Sequence, residues 1–233
     1  MDRLRVLRGA DGGAQAEVDG ARRLLAEVVA GAPETLRIYR PSAATVAFGR
    51  IDTLRPRYAD AVAAARTAGF EPVVRAVGGR AVAYDPTCLV LDHLAPEPDR
   101  TLSTSRRFDA FGRLHADALH ALGVDARVGE VPEEYCPGPF SVNARGLVKL
   151  VGTAQRVVRG GWQFSAVVIV DGAARLREVL APVYACIDMP FAPASVGAVA
   201  DEVPGVGADD VEDALLEQYA RRWRLETDPL GRD

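Results

Sequence analysis

Between Phe140 and Val170 the chain reads FSVNARGLVKLVGTAQRVVRGGWQFSAVVIV, a pattern that few architectures accommodate. Apolar residues alternate along it, and its breaks fall at Arg145-Gly146 and Gly160-Gly161. That pattern predicts three strands, FSVNA, LVKLVGTAQRVV and WQFSAVVIV, joined by tight turns. Strands connected this closely pair as antiparallel neighbours, so a regular βαβ alternation is ruled out.

The rest of the chain is read around that sheet. LRIYR and TVAFGR form two short strands about a Pro-Ser turn, and EPVVRAVGGRAVAYDPTCLVLDHL divides into VVRAV, RAVAY and CLVLDHL. Helical spacing marks residues 14–30, with Val18, Leu24, Leu25, Val28 and Val29 on the buried face and Gly20 weakening the middle. Further helices are expected over the Ala-rich 56–70, ending at Gly69, and over 106–124, with Phe108, Phe111, Leu114, Ala118 and Leu122 inward. A fourth is expected from Ala173 to Pro182 or past it with a kink. The last runs over 209–225, capped by Asp209 or Asp210, with Val211, Leu215, Tyr219 and Trp223 buried. A polar link at 95–105 and a Pro, Gly and Ala-rich loop at 189–207 connect them. The class is α+β, with a mostly antiparallel or mixed sheet flanked by helices.

A chain of 233 residues with a net charge of −4 has no overall electrostatic reason to bind nucleic acid or an anionic membrane. No apolar run reaches the ~18 residues of a spanning helix, and MDRLRVLRGADGG has no signal-peptide apolar region, so a cytoplasmic location is expected. The three cysteines are widely spaced without a CxxC, which predicts reduced thiols and no metal site. Neither GxGxxG nor GxxxxGK[ST] occurs, leaving a nucleotide site without motif support.

Chemistry points back to the strand-rich stretch. Of 28 basic residues, Lys149 is the one lysine. Arginine supplies charge everywhere else, whereas lysine alone can release a proton or act as a compact three-donor point charge. Thirteen residues earlier stands Cys136, followed by Pro137, Gly138 and Pro139, which display a thiol on a loop and not in a strand or helix. A cysteine nucleophile works as the thiolate, and a cation such as Lys149 folding back would favour it. Cys88 and Cys186 adjoin apolar segments and are read as packing residues. His115 and His120, five apart, do not share a ligand face and are read as packing or surface histidines. Glu133-Glu134 and Asp209-Asp210 are explained by solvation and capping. Gly78-Gly79 marks either a hairpin break or a loop that approaches a ligand. Arg145, Arg156 and Arg159 are expected near turns as a basic patch for an acidic partner. The residues alone thus give a cysteine and a lysine facing a glycine-lined cleft, with no substrate named.

The order LRIYRP, TVAFGR, VVRAVGGRAV and VKLVGTAQRVVRGG resembles the lipoate-protein ligase and octanoyltransferase family, whose fold also underlies biotin protein ligases. The resemblance covers about residues 14–185. It implies a single catalytic domain over 1–233, with a C-terminal helical extension from 186. It also implies an acyl pocket lined by Arg75, Gly78 and Gly79, with Gly152, Thr153 and Gln155 as pocket-forming neighbours of Lys149, which contacts the acyl carbonyl. YCPG at this distance from the lysine is similar to the cysteine-dependent amidotransferase branch. That branch would form an octanoyl or lipoyl thioester on Cys136 and pass it to a lysine of a lipoyl carrier, such as a glycine-cleavage H protein or a 2-oxoacid dehydrogenase lipoyl domain. Two positions depart from the family pattern, Val77 before the glycines and Arg80 in place of a third glycine. WQFSAVV stands where ATP-dependent ligases often carry His-Gly, and such ligases commonly have a further C-terminal domain. Both points imply transfer without a cofactor. An ATP-dependent ligase and a non-catalytic acyl-binding module are the alternatives.

Overall fold

The computed structural model of the protein describes residues 1–97 and 104–227. In chain order its strands are β1 (Arg3–Arg8), β2 (Thr35–Tyr39), β3 (Thr45–Phe48), β4 (Glu71–Val74), β5 (Val82–Tyr84), β6 (Cys88–Glu97), β7 (Ala126–Val128), β8 (Val142–Ala144), β9 (Val148–Val158), β10 (Gly160–Ile169) and β11 (Arg224–Thr227). The helices are α1 (Ala14–Val29), α2 (Tyr58–Thr67), α3 (Thr104–Ala121), α4 (Ala173–Cys186), the single turn α5 (Val199–Glu202) and α6 (Ala208–Ala220). Among the described residues the strands form an eight-stranded sheet, ordered β11-β1-β2-β6-β10-β9-β8-β7, and a three-stranded one, β4-β3-β5. Pairing from β2 through to β7 is antiparallel, while β1 lies parallel to both neighbours. This is the expected α+β class with a mixed sheet.

Strand alternation separates two cores. From β6 and β10, Leu89, Leu91, Trp162, Phe164 and Val168 pack with Phe111, Leu114 and Tyr219 of α3 and α6. On the opposite face Cys88, Val90 and Ile169 pack with the small sheet, α2 and α4. Helix α1 covers the remaining part of that second face, over β2, β6 and β10.

Four expectations are corrected. VVRAV and RAVAY do not form a hairpin: β4 pairs parallel and β5 antiparallel with β3, which lies between them, so the Gly78-Gly79 loop is free to cross to the main sheet. The last helix stops at Ala220, and Arg224–Thr227 turns into a strand parallel to β1; Trp223 reaches the aromatic cluster of His93 and Phe111 from that connection. Its N-cap is Gly207, whose N–H donates to the Asp210 carboxylate at 2.8 Å, in place of Asp209 or Asp210 itself. In α1 the inward residues are Glu17, Gly20, Ala21, Leu25 and Val28, and Val29 is exposed. A Cβ at Gly20 would make the Asp11 carboxylate and the Arg37 guanidinium shift. Helix α4 continues through Pro182. Most of the polar link expected at 95–105 lies outside the described residues.

Candidate active site

The loop joining β7 to β8 carries Glu134, Tyr135 and Cys136. Cys136 takes φ of 44°, a left-handed conformation that costs a non-glycine residue about 1–3 kcal/mol. Two fixed groups hold it there. Its N–H donates to the Tyr184 hydroxyl at 2.5 Å, which itself donates to the carbonyl of Ala81 at 2.9 Å. Its carbonyl accepts from Lys149 Nζ at 2.9 Å.

The thiol sulfur faces the glycine loop. The Arg80 N–H points at Cys136 Sγ from 3.1 Å and Arg75 Nη2 from 3.5 Å, while that same Nη2 donates to the Arg80 carbonyl at 2.8 Å. A backbone N–H and a guanidinium both directed at one sulfur stabilise negative charge on it. Gly79 makes this approach possible: its φ is 99°, and a Cβ would stand 2.6 Å from both Cys136 Sγ and Arg75 Nη2. The Arg80 departure from the family pattern is harmless to this contact, which uses main chain. Its side chain lies 3.3 Å from buried Asp52, which also accepts the Gly49 N–H at 2.9 Å. Val77, the other departure, is buried in an apolar wall.

Lys149 stands elsewhere than the sequence suggests. Its Nζ is buried and donates to Glu134 Oε1, the Tyr135 carbonyl and the Cys136 carbonyl, each at 2.9 Å. An ammonium has three N–H donors, so all are engaged in gripping the cysteine loop. The cation beside the sulfur is Arg75. Glu134, completely buried, also accepts from Ser141 Oγ at 2.5 Å, Val131 N–H at 3.0 Å and Gly138 N–H at 3.3 Å. The expectation that Glu133-Glu134 merely solvates a loop fails for Glu134, which is the buried partner of the one lysine.

The other expected residues surround this point. Gly78 N–H donates to the Gln155 carbonyl at 3.3 Å, tying the glycine loop to β9. The Gln155 side chain accepts from Arg107 at 2.8 Å and donates to the Thr104 carbonyl at 2.8 Å, fixing the start of α3. Thr153 Oγ1 donates to the Phe140 carbonyl at 3.3 Å. Gly78, Gly79, Cys136, Phe140, Thr153 and Gln155 line an open cleft of about 470 Å³. Behind the cysteine a closed cavity of about 20 Å³ touches Cys136, Tyr135 and Gly152. It shares Arg75, Val82, Ser165 and Val167 with a further one of about 50 Å³ beneath α1. A Cβ at Gly152 would make only ordinary contacts, the nearest at 3.5 Å from Lys149 Cε, so space alone does not demand that glycine.

Groups outside the cluster are structural. Cys88 is buried, and burial pushes its thiol up to about 12. Cys186, at the end of α4, is half-buried against the second core and lies 3.8 Å from Arg57 Nη2. His115 is buried against the Phe111 carbonyl at 2.6 Å, and His120 is exposed. Arg145 does not join the expected basic patch: it precedes β9 and pairs with Glu202, whereas Arg156 and Arg159 lie at the other end of that eleven-residue strand, roughly 30 Å away. Tyr184 and Asp52 were not singled out from sequence, Glu134 was read as a solvated acid and Arg80 as a departure from the family pattern. Only the Glu134 position, directly before the Tyr-Cys pair, offered a signal.

The sequence matches the lipoyl protein ligase A/B catalytic domain over residues 17–220. The chain belongs to this family. Curated relatives include an octanoyl-[GcvH]:protein N-octanoyltransferase of Anoxybacillus flavithermus, 32% identical over 133 residues, which are 57% of this chain and 47% of the relative. A lipoyl-[GcvH]:protein N-lipoyltransferase of Listeria monocytogenes is 28% identical over 136 residues, 58% of this chain and 49% of the relative. The chain thus spans about half the length of the curated relatives it matches. In fold, a lipoate-protein ligase A crystallised with ATP superposes with a TM-score of 0.76 at 20% identity, covering 99% of this chain and 90% of that one. A bipartite lipoate protein ligase of Thermoplasma acidophilum, studied with its E2 lipoyl domain, gives 0.72 at 19%, covering 99% and 88%. The fold is that of these lipoate-protein ligases.

Proposed function

We propose that this member of the lipoyl ligase family is an acyltransferase that moves an octanoyl or lipoyl group onto a lysine of a lipoyl carrier through a thioester on Cys136. The observation that carries this reading is the seat of the sulfur. It meets the Arg80 N–H and Arg75 at 3.1 and 3.5 Å and opens onto the 470 Å³ cleft on one side and the closed cavity on the other. The relatives' names, which give octanoyl and lipoyl transfer involving GcvH, support the same reading.

In the first step Sγ attacks the carbonyl of the donor, a carrier thioester or acyl-lysine amide. The new C–S bond forms as the donor's C–S or C–N bond breaks, and the proton that the Cys136 thiol gives up leaves on the departing thiol or amine. In the second, a neutral acceptor lysine attacks the thioester, a C–N bond forms as the C–S bond breaks, and the proton lost by the amine restores the Cys136 thiol. Arg75 and the Arg80 N–H hold negative charge on sulfur at both stages. Lys149 acts as a positioning residue: with Glu134 it fixes the loop that sets the sulfur's direction. The carrier arm and the acyl chain enter by the open cleft, whose 470 Å³ admits eight carbons where the 20 Å³ cavity behind admits about one water. The described chain works as one catalytic unit, and the reducing cytoplasm keeps the nucleophile a thiol.

Intact-protein mass spectrometry with an octanoylated carrier tests this. The wild type gains one octanoyl mass, and Cys136→Ala gains none and does not transfer. Transfer that persists in Cys136→Ala and demands ATP and Mg²⁺ would instead establish the ligase reading.

A further inference from the structure

The closed cavity behind Cys136 is too small for an acyl chain and large enough for one oxygen. At about 20 Å³ it admits a single water-sized group. Besides the cysteine, four polar side chains line it: Arg75, Tyr135, Thr153 and Ser165. Two of these have their protons committed elsewhere, since Thr153 Oγ1 donates to the Phe140 carbonyl at 3.3 Å and Ser165 Oγ to Asp92 Oδ1 at 2.5 Å. Tyr135 differs. It is 2% exposed, and among the described residues its hydroxyl makes no hydrogen bond. The Arg75 Nε–H is likewise buried without a partner, while Nη2 is engaged by the Arg80 carbonyl.

A buried hydroxyl that bonds nothing costs free energy, and phenylalanine would fill the same volume without that cost. Packing alone therefore gives no reason for a tyrosine here. Its surroundings do. Burial raises the Tyr135 phenol well above its usual pKa, so it keeps its proton and stays a donor. Gly152 leaves room beside the oxygen: a Cβ there would stand 3.6 Å from the hydroxyl, with no contact closer than 3.5 Å. A methyl at that position would narrow the cavity without straining the fold. Cys136 borders both this cavity and the open cleft, so a carbonyl bonded to its sulfur has room for its chain on one side and for its oxygen on the other.

Resting on the reading of acyl transfer at Cys136, we propose that this cavity is the oxyanion hole of the reaction and that the Tyr135 hydroxyl is the catalytic donor within it. Sγ adds to the acyl carbonyl carbon, the C=O electron pair moves onto oxygen, and that oxygen enters the cavity and accepts from Tyr135. Arg75, lining the same cavity with an unmatched N–H, supplies positive charge beside it. Collapse returns the pair to the carbon–oxygen bond and expels the donor's sulfur or nitrogen, and Tyr135 keeps its own proton throughout. The acyl chain stays in the cleft.

The test follows two reactions of Cys136 by mass spectrometry, acylation by p-nitrophenyl octanoate and alkylation by iodoacetamide, in wild type, Tyr135→Phe and Gly152→Ala. Both need the same thiolate, but displacement of iodide builds no oxyanion. Tyr135→Phe is expected to acylate about 100-fold more slowly and to alkylate at the wild-type rate. Gly152→Ala is expected to show the same split, its methyl taking the oxygen's place. A loss of acylation below tenfold in Tyr135→Phe, or an equal loss in alkylation, overturns the proposal and leaves the tyrosine a packing residue. Wild-type acylation by Gly152→Ala overturns it too, since a filled cavity cannot take the oxygen. Octanoylated glycine-cleavage H protein is offered to the wild type separately. Acylation by the ester with the expected split, but none by the carrier, sustains the oxyanion hole and defeats the transfer reading. A thioester formed from the carrier, with ester rates that ignore both substitutions, does the reverse, and no acylation from either donor overturns both.

Discussion

Replacing Glu134 with alanine isolates the buried pair on which the cysteine loop rests. Glu134 and Lys149 are 0% and 1% exposed, and the carboxylate accepts from Lys149, Ser141, Val131 and Gly138. Removing it leaves the ammonium buried with two carbonyls and no counter-charge, and strands three further donors. Breaking a buried pair by deleting one partner costs about 3–5 kcal/mol. Against the ~5–15 kcal/mol that holds a typical domain together, that is a large fraction. At roughly 2–4 °C per kcal/mol for a chain of this size, Tm should fall by about 6–20 °C. Thermal melts by circular dichroism measure it, with Cys136 acylation followed by mass spectrometry below the melting range. The double variant Glu134→Leu/Lys149→Met should recover much of the lost stability, since an apolar pair removes both charges together, yet remain slow in acylation because the loop has lost its grip. A fall in Tm below 2 °C for Glu134→Ala, or a double variant less stable than the single, would refute the reasoning.

Lys149→Arg should also slow acylation at least tenfold, because a planar guanidinium cannot converge on three acceptors as the ammonium does; wild-type rates would show that the lysine is dispensable. Gly79→Ala should fold but acylate poorly, its Cβ displacing Sγ or Arg75 at a φ of 99°, and the loss should appear in acylation before it appears in Tm. Tyr184→Phe removes the hydroxyl bridging Cys136 N–H and Ala81, at a cost of about 1–2 kcal/mol, read by urea denaturation. Stability should also fall with acid through His115, whose imidazole burial lowers to about 4. The unfolded chain protonates near 6.5 and so binds more protons than the fold below that pH. The contribution is intact above pH 6.5 and shrinks as pH drops toward 4, by about 3 kcal/mol in all. Urea midpoints at pH 7.0, 5.5 and 4.5 should show a slope that His115→Gln flattens; an unchanged slope would assign the effect elsewhere.

The cysteine loop and its glycine contact were legible because their signals are local. Pro137, Gly138 and Pro139 force Cys136 onto a loop, and adjacent glycines announce a close backbone approach that Gly79 then makes. The eight-stranded order was half legible: the β8-β9-β10 run lies within one stretch of sequence, but β1 and β11 pair across almost the whole chain, and β7, paired with the next strand β8, is only three residues long. The pairing of β4 and β5 with β3 escaped for the same reason, since a Gly-Gly break reads as a hairpin until a third strand separates its arms. The cation at the sulfur was misassigned by reasoning from scarcity. A lone lysine among arginines does mark a special site, but what makes lysine irreplaceable here is three convergent donors inside a buried loop, not proximity to the thiol. Arginine, abundant and therefore uninformative, supplies the charge at Sγ. Glu134 shows the complementary error: an acidic pair beside a loop is usually solvated, and nothing local reveals that one carboxylate turns inward. Lys149 has to be buried to hold Cys136 in a left-handed conformation, and a buried ammonium requires a buried anion. The anion is supplied two residues before the cysteine, so the loop that displays the thiol also carries the counter-charge that anchors it.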